Sequence, residues 1–467
     1  MAYTQMIRLE KLLPDELDLL LARGFFRMHQ GVFTCTFLSD EEGLHTVVWT
    51  RRALQDAPLP AHAQRRLRKI KRELDIDIGP CMLDAEREDL YRRYFAHVGG
   101  NRSSSLRGVL FGDGEPEDDE GTDTDAPDAG PDAPPEAPDD HALERMIDDI
   151  SGLLDREPAE AAATGPERRP GPAQPLAHRR RAHDVIEADE APIDLWADED
   201  VEDEPTEQSG PHGSALGRPS AQGRPTAHGR PRLSGDRFDS WEVCVRHEGR
   251  LIGYSVFDLG RDSMESIIGI YDPDYARYGV GIGTMLLEVE WGADRGFLYH
   301  YAGYVVPGVQ SFEYKRAVGH LEHWDPELER WRPIEELEPD RLLGPRIQRA
   351  LNLASEALAR GRFHLELVVN APYRIVQLNG GAHQFLGEPW YLRWGPPGSL
   401  QRVVTYDPFL GRYALDLCLP SRDLGHVLPS LELSKVACTT RLLHRLKRVG
   451  TVEQPSALLA LFERSLA

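Results

Sequence analysis

The stretch from Trp241 to Lys315 carries the pattern that most constrains the fold of this chain. Within it, short apolar runs predict strands, and the turn Glu248-Gly249-Arg250 predicts that the first two strands form an antiparallel hairpin. A glycine-rich turn, from Gly279 to Gly283, then opens an amphipathic run. The sequence therefore predicts an α+β fold with strands over Glu242 to Arg246, Leu251 to Asp258, Met264 to Tyr271 and Leu298 to Val306, and a helix that includes Thr284 to Trp291.

The glycine-rich turn is also a candidate binding element. A turn of this kind between a strand and a helix exposes backbone N–H groups at the positive end of the helix, where they attract an anionic group. A run of spaced glycines is a weak signal by itself. We therefore take Gly281 and Gly283 as candidate substrate-binding residues only together with the residues around them.

The same stretch resembles the C-terminal domain of the aminoacyl-tRNA–protein transferases, the arginyl- and leucyltransferases of the N-degron pathway. In the order of its elements it also resembles the acyltransferase fold of the GNAT superfamily, in which the glycine-rich turn holds the phosphates of the donor. The residues that carry the first resemblance follow the family's order without gaps over roughly 65 residues. They are Glu248-Gly249-Arg250-Leu251-Ile252, Asp258, Tyr271 to Asp274, Gly281, Glu288, Gly303-Tyr304 and Tyr314-Lys315.

This resemblance implies an enzyme that transfers Arg or Leu from aminoacyl-tRNA to the N-terminal amine of proteins beginning with Asp or Glu. The implied partners are aminoacyl-tRNA and acidic protein N-termini, and no cofactor is implied. Two alternatives stay open. One is another GNAT-type acyltransferase, although the turn lacks the Q/R-x-x-G-x-G/A pattern of coenzyme A binders. The other is a non-enzymatic descendant that binds tRNA or acidic peptides.

Charge is distributed very unevenly along the chain. The formal net charge of −23 over 467 residues would normally argue against a nucleic-acid partner. The acidic residues, however, concentrate between about Asp113 and Glu207, whereas Arg51 to Arg72 is densely basic. Because net charge is meaningful for each domain rather than for the whole chain, the total does not exclude tRNA.

Composition divides the chain into four parts. Residues 1–112 predict a small α/β N-terminal transferase domain, and residues 237–337 the GNAT-like transferase domain. Between them, residues 113–236 are acidic, rich in Pro and Gly and poor in aromatic residues, which predicts a long disordered insert with one short helix at His141 to Leu154. Residues 338–467 predict an extra α+β module for binding or oligomerisation, with a strand at Tyr373 to Leu378 and two final helices over Leu433 to Val449 and Pro455 to Leu466.

Cysteine usage and hydropathy suggest a cytoplasmic protein. The five cysteines are scattered and show neither a CxxC pair nor a metal-ligand spacing, which is typical of reduced thiols in a reducing compartment. No apolar run approaches the roughly 20 residues that span a bilayer. Arg8, Glu10 and Lys11 also interrupt any signal-peptide pattern at the N-terminus.

A basic helix over Ala61 to Leu74 is the second candidate binding element. The family carries a glutamine and arginines in a similar segment, and Gln64, Arg65 and Arg66 match its centre, which implies binding of tRNA phosphates or of an acidic side chain. The alternative is a solvated basic helix. The match elsewhere in this domain is partial, because Cys35 stands alone where the family places paired cysteines that hold an iron–sulfur cluster.

For the transfer step we expect attack by a neutral α-amine on the ester that joins an amino acid to tRNA, which requires a base and donors to the oxyanion. The candidate catalytic residues are Asp272, Tyr271, Tyr301 and Asp258, with a reaction centre between Asp272 and Tyr301. Alternatives are a plain turn at Asp272 and strand packing at Tyr301. Further candidate substrate-binding residues are Tyr304, Tyr314 and Lys315, whereas His300, His320 and His323 have no metal partner and are interpreted as structural or surface residues.

Overall fold

The fold is described from a computed structural model of the chain. The residues that it describes are 3–8, 11–40, 43–98, 103–112, 233–309, 312, 314–378, 384–425 and 437–466. Nearly all of the acidic insert predicted over 113–236, including the helix predicted at His141 to Leu154, lies outside these residues. No helix among the described residues is both long enough and apolar enough to cross a membrane.

The N-terminal part contains a helix and a small three-stranded sheet in the order β1-β3-β2. The apolar side of the helix packs through Leu17 and Leu21 against Phe26 and Val32 of this sheet. A short hairpin follows the sheet. In chain order the elements are β1 (Thr4–Arg8), α1 (Pro14–Ala22), β2 (Phe26–Met28), β3 (Gly31–Cys35), β4 (Phe37–Asp40) and β5 (Gly43–Thr46).

A mixed sheet of eight strands forms the centre of the molecule, in the order β13-β12-β6-β11-β10-β9-β8-β7. Its strands are β6 (Val48–Ala53), β7 (Asp75–Pro80), β8 (Ser240–His247), β9 (Arg250–Leu259), β10 (Ser263–Tyr271), β11 (Tyr299–Val305), β12 (Leu321–Asp325) and β13 (Arg330–Pro333). The four strands predicted between Glu242 and Val306 are therefore present, and β8 and β9 pair as the expected antiparallel hairpin.

Segments on both sides of the insert share this sheet. Strand β7 pairs antiparallel with β8, with Ile78 opposite Val243, and β6 pairs antiparallel with β11, with Trp49 opposite Tyr304. The hypothesis that the N-terminal segment and the transferase-like segment pack into one unit is thereby confirmed. The domain limits at 112, 237 and 337 stay predictions, because strand pairing does not set limits within a shared sheet.

Helices cover both faces of the central sheet. Alternate residues of a strand point to opposite faces, and in β11 Ala302 packs against the basic helix and the helix after the glycine turn, whereas Tyr301 packs against α1 and Phe26. The result is a three-layer α+β arrangement. The helices are α2 (Ala61–Glu73) and α5 (Val280–Asp294) on the first face, and α3 (Ala85–Val98) and α4 (Leu106–Phe111) beside α1 on the second.

Beyond the central sheet, a six-stranded sheet in the order β18-β14-β15-β16-β17-β19 builds the added module. Its helical side is formed by α6 and α8, which pack on the sheet through Leu351 and Phe462. The elements are α6 (Leu343–Ala359), β14 (Glu366–Asn370), α7 (Tyr373–Leu378), β15 (Trp390–Trp394), β16 (Gln401–Asp407), β17 (Arg412–Asp423), β18 (Cys438–Thr439), β19 (Arg441–Val452) and α8 (Leu458–Arg464).

Two predictions for this module are wrong. The segment Tyr373–Leu378 is a helix rather than a strand. Proline has a fixed φ that favours the start of a helix, and Pro372 stands immediately before this segment. Its effect outweighs the preference of the β-branched and aromatic residues for a strand. The segment Leu433 to Val449, which was expected to be a helix, contains most of the long strand β19 instead. Its Leu, Arg and Lys residues favour helices by propensity, but pairing with β17 along most of its length overrides that preference.

Candidate functional site: an opening between two parallel strands

The central sheet opens between β10 and β11. The two strands are parallel neighbours, as expected, and pair from Ser263 opposite Tyr299 to Glu265 opposite Tyr301. In the described residues no ladder joins the rest of β10 to the rest of β11, and β10 has an irregularity between Ser266 and Ile268. Bulges of this kind bend a strand and end its pairing. Over the rest of their length, the backbone groups of the two facing edges therefore do not bond to each other among the described residues.

Helix α5 begins beside this opening. Gly279 adopts the left-handed conformation, with φ of 63°, and α5 has no side-chain cap at its first turn. The N–H groups of that turn therefore carry the positive end of the helix dipole without an internal acceptor from a capping side chain. A turn of this geometry favours glycine, because a side chain at positive φ is strained.

The two candidate glycines within α5 allow close packing. A Cβ atom on Gly281 would lie 3.0 Å from the Tyr271 ring, and one on Gly283 would lie 2.4 Å from Ile70 of α2. These contacts explain why glycine stands at both positions without reference to a ligand. Their assignment to substrate binding stays a prediction, whereas their role in bringing Tyr271 and α2 against α5 is visible in the packing.

Of the three candidate residues on α2, Arg66 is the one that lies at the glycine turn. Its guanidinium carbon is 3.4 Å from the position that a Cβ on Gly279 would take. Arg66 is half-buried, and this burial lowers the pKa of its guanidinium below the ordinary value. Arg65 is exposed, and the side chain of Gln64 donates a hydrogen bond of 2.7 Å to the carbonyl of Leu59 before the helix.

No acidic side chain among the described residues forms an ion pair with Arg66. Its charge therefore adds to the positive end of α5 rather than being neutralised within the protein. Two sources of positive potential at one half-buried point favour an anionic ligand such as a phosphate.

Asp272 lies at the far end of β10 and is held within the fold. Its carboxylate is 1% exposed, accepts a hydrogen bond of 2.6 Å from Arg250 and lies 3.4 Å from Arg93. It also accepts the backbone N–H of Asp274 at 3.1 Å, which is the bond expected of a turn-initiating aspartate. The preceding Tyr271 packs edge-on against Tyr94, with ring centroids 5.3 Å apart.

Tyr301 lies at a different place in the sheet from Asp272. It is the third residue of β11 and stands beside Glu265, so Asp272 is seven residues farther along β10, or roughly 20 Å. The structure therefore does not bring the two side chains together, since adjacent strands share a reaction centre only at the same level. Tyr301 is buried among aromatic rings, and this burial raises its pKa to about 12.

Asp258, the fourth candidate catalytic residue, belongs to a buried polar cluster with Arg27. Arg27 donates to both carboxylate oxygens of Asp258 at 2.9 and 3.0 Å and to Ser240 at 2.8 Å, and Ser240 donates to Asp258 at 2.6 Å. Burial outweighs the attraction of Arg27 and raises the pKa of Asp258 to about 6. Burial also acts to lower the pKa of Arg27, but Asp258 and Asp236 keep it above its ordinary value.

Glu265 completes this cluster and was not among the sequence candidates. It faces Asp258 across β9 and β10 and accepts the backbone N–H of Arg27 at 2.8 Å. Burial and the nearby Asp258 raise its pKa well above the ordinary value, and its second carboxylate oxygen has no partner among the described residues.

Other buried charges were also missed. Arg87 of α3 makes a bidentate ion pair with Glu242 of β8, and His300 Nε2 lies 3.0 Å from Glu288. His300 is therefore a buried residue rather than a surface one. The sequence did contain a signal, because acidic residues are rarely buried, yet Glu242, Asp258 and Glu265 interrupt strands that are otherwise largely apolar.

The remaining candidate substrate-binding residues lie together near the far end of β11. The ammonium group of Lys315 donates to the carbonyl of Tyr304 at 2.8 Å and lies 5.1 Å from the centre of its ring. Tyr304 also meets Trp49 edge-on, with centroids 5.3 Å apart. Tyr314 begins the 3₁₀ turn Tyr314–Val318, which packs against the hydrophobic core beneath α5.

Sequence comparison finds a family match for the part of the chain that contains this opening. The family model for the C terminus of arginine-tRNA-protein transferases matches residues 202–325. The resemblance to the aminoacyl-tRNA–protein transferases is confirmed. The matched residues of this chain include β8 to β11 and α5. They therefore contain both edges of the opening and the glycine turn.

Three relatives match stretches of 82 to 107 residues. The aspartate/glutamate leucyltransferase of Stenotrophomonas maltophilia is 33% identical over 82 residues, which are 17% of this chain and 33% of that protein. That of Leptospira interrogans is 26% identical over 88 residues, 19% of this chain and 32% of the relative. Arginyl-tRNA–protein transferase 1 of Arabidopsis thaliana is 29% identical over 107 residues, 22% of this chain and 17% of the relative.

The chain thus spans about one third of the length of the leucyltransferases that it matches. The match to the family model covers the segment around the opening and ends at residue 325, before α6. Within the described residues, no group of three or more His, Cys, Asp or Glu side chains could hold a metal ion.

Proposed function

We propose that this chain transfers an amino acid, Arg or Leu, from aminoacyl-tRNA to the N-terminal amine of proteins that begin with Asp or Glu. The names of the relatives and the matched transferase segment support aminoacyl transfer. We also propose that residues 237–337 have a GNAT-like fold, supported by the parallel β10 and β11, which separate beside the helix that follows the glycine turn.

The observation that carries this proposal is the position of Arg66 at the start of α5. Aminoacyl-tRNA presents phosphates close to the reactive ester, and a half-buried guanidinium at an uncapped helix end provides charge-assisted hydrogen bonds for one of them. The ester would then lie in the opening between β10 and β11. There, backbone N–H groups that do not bond across the opening would stabilise the oxyanion that forms when the amine attacks.

We assign roles to the other candidates by their place around the opening. Tyr271 and Tyr304 belong to the two strands that border the opening, and we assign to them, with Tyr314 and Lys315, the supply of rings and donors for the acceptor end of tRNA. Asp272 holds the turn that follows β10. Asp258 and Tyr301, together with Glu265, act at the closed end of the opening, where a carboxylate with a raised pKa is suited to exchange a proton at neutral pH.

We place the reaction in the cytoplasm. All five cysteines are free thiols, and four of them are buried, which suits a reducing compartment.

The direct test uses the full chain and total tRNA charged with one radiolabelled amino acid at a time. The acceptor is a model protein with Asp at its N-terminus, and the same protein with an acetylated N-terminus is the control. We expect label to enter the free acceptor with Arg or Leu and not the acetylated one. Absence of label with every charged tRNA would reject the transferase function.

A second candidate function is binding without catalysis, because both Asp258 and Asp272 are engaged in ion pairs within the fold. A chain of this kind would bind tRNA or acidic N-termini and leave the ester intact. Filter binding separates the two readings, since salt-dependent retention of tRNA without any transfer of label favours the binding protein.

A further inference from the structure

A cavity of about 670 Å³ lies between the family-like part of the molecule and the added module. Phe25, Trp49 and Trp324 line it from the family-like side, and Leu343 and Phe409 line it from the side of the module. The family model matches residues 202–325, which include Trp324 of this lining but not Leu343 or Phe409. The volume of the cavity is typical of a site for a small molecule or a short peptide end.

The cavity adjoins the strand opening through Trp49. Trp49 lines the cavity, and the centroid of its ring lies 5.3 Å from that of Tyr304 on β11. Trp49 and Tyr301 belong to the same aromatic cluster, on the face of the central sheet opposite α2 and α5. A ligand in the cavity therefore approaches the opening from the face opposite Arg66.

The charges around the cavity are nearly balanced, with a small acidic excess. Five carboxylates line it, those of Asp325, Glu327, Glu329, Glu336 and Glu338, against the guanidinium groups of Arg23, Arg332, Arg341 and Arg346. Ion pairs join Arg332 to Asp325 and Glu336, Arg346 to Glu327 and Arg341 to Glu338. This small excess makes the cavity less favourable for the phosphates of tRNA than α2, on which we proposed their contacts.

Two of these charges have no ion-pair partner among the described residues, the cation of Arg23 and the carboxylate of Glu329. An aromatic-lined cavity with one free cation and one free anion complements a ligand that carries both an ammonium and a carboxylate group. Aromatic faces also stabilise ammonium groups. The N-terminal residue of a polypeptide beginning with Asp or Glu has this pair of charges, close together.

We propose that this cavity binds the N-terminal residue of the acceptor polypeptide, with Glu329 receiving its α-ammonium group and Arg23 its acidic side chain. The inference rests on the proposed transferase function and adds the location and charge pattern of its second substrate. In this arrangement tRNA and polypeptide approach the opening from opposite faces of the sheet. The added module is then part of the acceptor site.

Isothermal titration of the full chain with synthetic peptides tests the assignment without tRNA. The probes are a peptide beginning with Asp, the same peptide beginning with Ala, and the N-acetylated Asp peptide. We expect acetylation to weaken binding at least tenfold, and Arg23→Ala to weaken the Asp peptide about tenfold while leaving the Ala peptide unchanged. Glu329→Gln should weaken both free peptides, and Arg360→Ala, an exposed change just after α6, should weaken none.

Equal binding of the acetylated peptide, or parental affinity in both Arg23→Ala and Glu329→Gln, would overturn the proposal. Transfer assays separate its failure from that of the proposed function. If label is transferred normally by both variants, the cavity assignment fails and the transferase stands. If no charged tRNA supports transfer but peptide binding depends on Arg23 as described, the cavity assignment stands and the transferase fails.

Discussion

The central sheet and the sheet of the added module differ in how far the partners of their buried charges are exposed to solvent. The central sheet contains ion pairs in which both partners are buried, as in Arg87 with Glu242 and Arg27 with Asp258. In the described part of the module, Asp416 is the buried charged residue, and the side chain of its partner Arg448 is 45% exposed. Buried charges are costly and concentrate at functional sites. The contrast therefore favours the central sheet as the location of the functional site.

The largest expected effect is on stability and contrasts the two sheets directly. Arg87→Ala leaves the carboxylate of Glu242 buried without its partner, so we expect a loss of about 3–5 kcal/mol in the free energy of unfolding. Arg448→Ala removes a half-exposed partner and leaves Asp416 paired with Arg445, so we expect a loss of about 1 kcal/mol or less. Urea denaturation of both variants measures the difference. Equal losses would show that burial of the pairs does not distinguish the sheets.

The next effect is the pH dependence that Asp258 gives to the central sheet. Its pKa of about 6 in the folded state exceeds the value of about 3.9 expected when unfolded, so folding favours the protonated form. The resulting stabilisation is complete below about pH 4 and is lost as the pH rises through 6, by roughly 3 kcal/mol. In Asp258→Asn this component should disappear from urea denaturation between pH 4 and 7. An unchanged slope would contradict the raised pKa.

A smaller effect concerns the cation at the glycine turn. Arg66→Ala should weaken tRNA binding by about 1–3 kcal/mol, because a charge-assisted bond to phosphate is lost, and should reduce the salt dependence of binding. Arg68→Ala, an exposed change on the same helix, is the matched control and should have a smaller effect. Filter binding over a range of salt concentrations provides both quantities. Identical curves for the two variants would leave α2 as a solvated basic helix.

The smallest effect is expected from the insert. A Cβ atom on Gly235 would lie 3.9 Å from the ring of Phe111, so the chain returns to the central unit beside the point where it leaves it. Replacing 115–232 by a short Gly/Ser segment should therefore change the melting temperature little, since the cost of loop closure varies slowly with length. Differential scanning calorimetry measures this. Loss of a cooperative transition would show that the central sheet depends on the insert.

The central strands could be predicted because their local pattern and their pairing agree. The hairpin of β8 and β9 is fixed by the turn at Gly249, and the helix after Gly279 by its apolar spacing. The segments at Tyr373 and Val449 were predicted wrongly, because Pro372 and pairing with β17 decide their conformation. Local propensity does not contain such tertiary information.

For the candidate site, the sequence indicated the glycine turn and Arg66. It did not show which candidate residues lie next to each other in the fold. The spacing along the chain could not show that Tyr301 stands beside Glu265 rather than near Asp272, because strand register is a property of the folded sheet. It also could not pair Arg27 with Asp258, since more than two hundred residues separate them. The signal that the sequence did contain for these buried pairs was the presence of acidic residues within apolar strands.

The pairing of β7 with β8 also sets the timing of folding during synthesis. Ile78 and Val243 are opposite each other in the sheet, yet 165 residues separate them in the chain. At roughly 5–20 residues per second, the ribosome needs on the order of ten to thirty seconds to produce the second strand after the first. During that interval β6, α2 and β7 have no sheet to join. The nascent chain therefore exposes strand edges and apolar helix faces, and chaperones that shield them should raise the yield of folded protein.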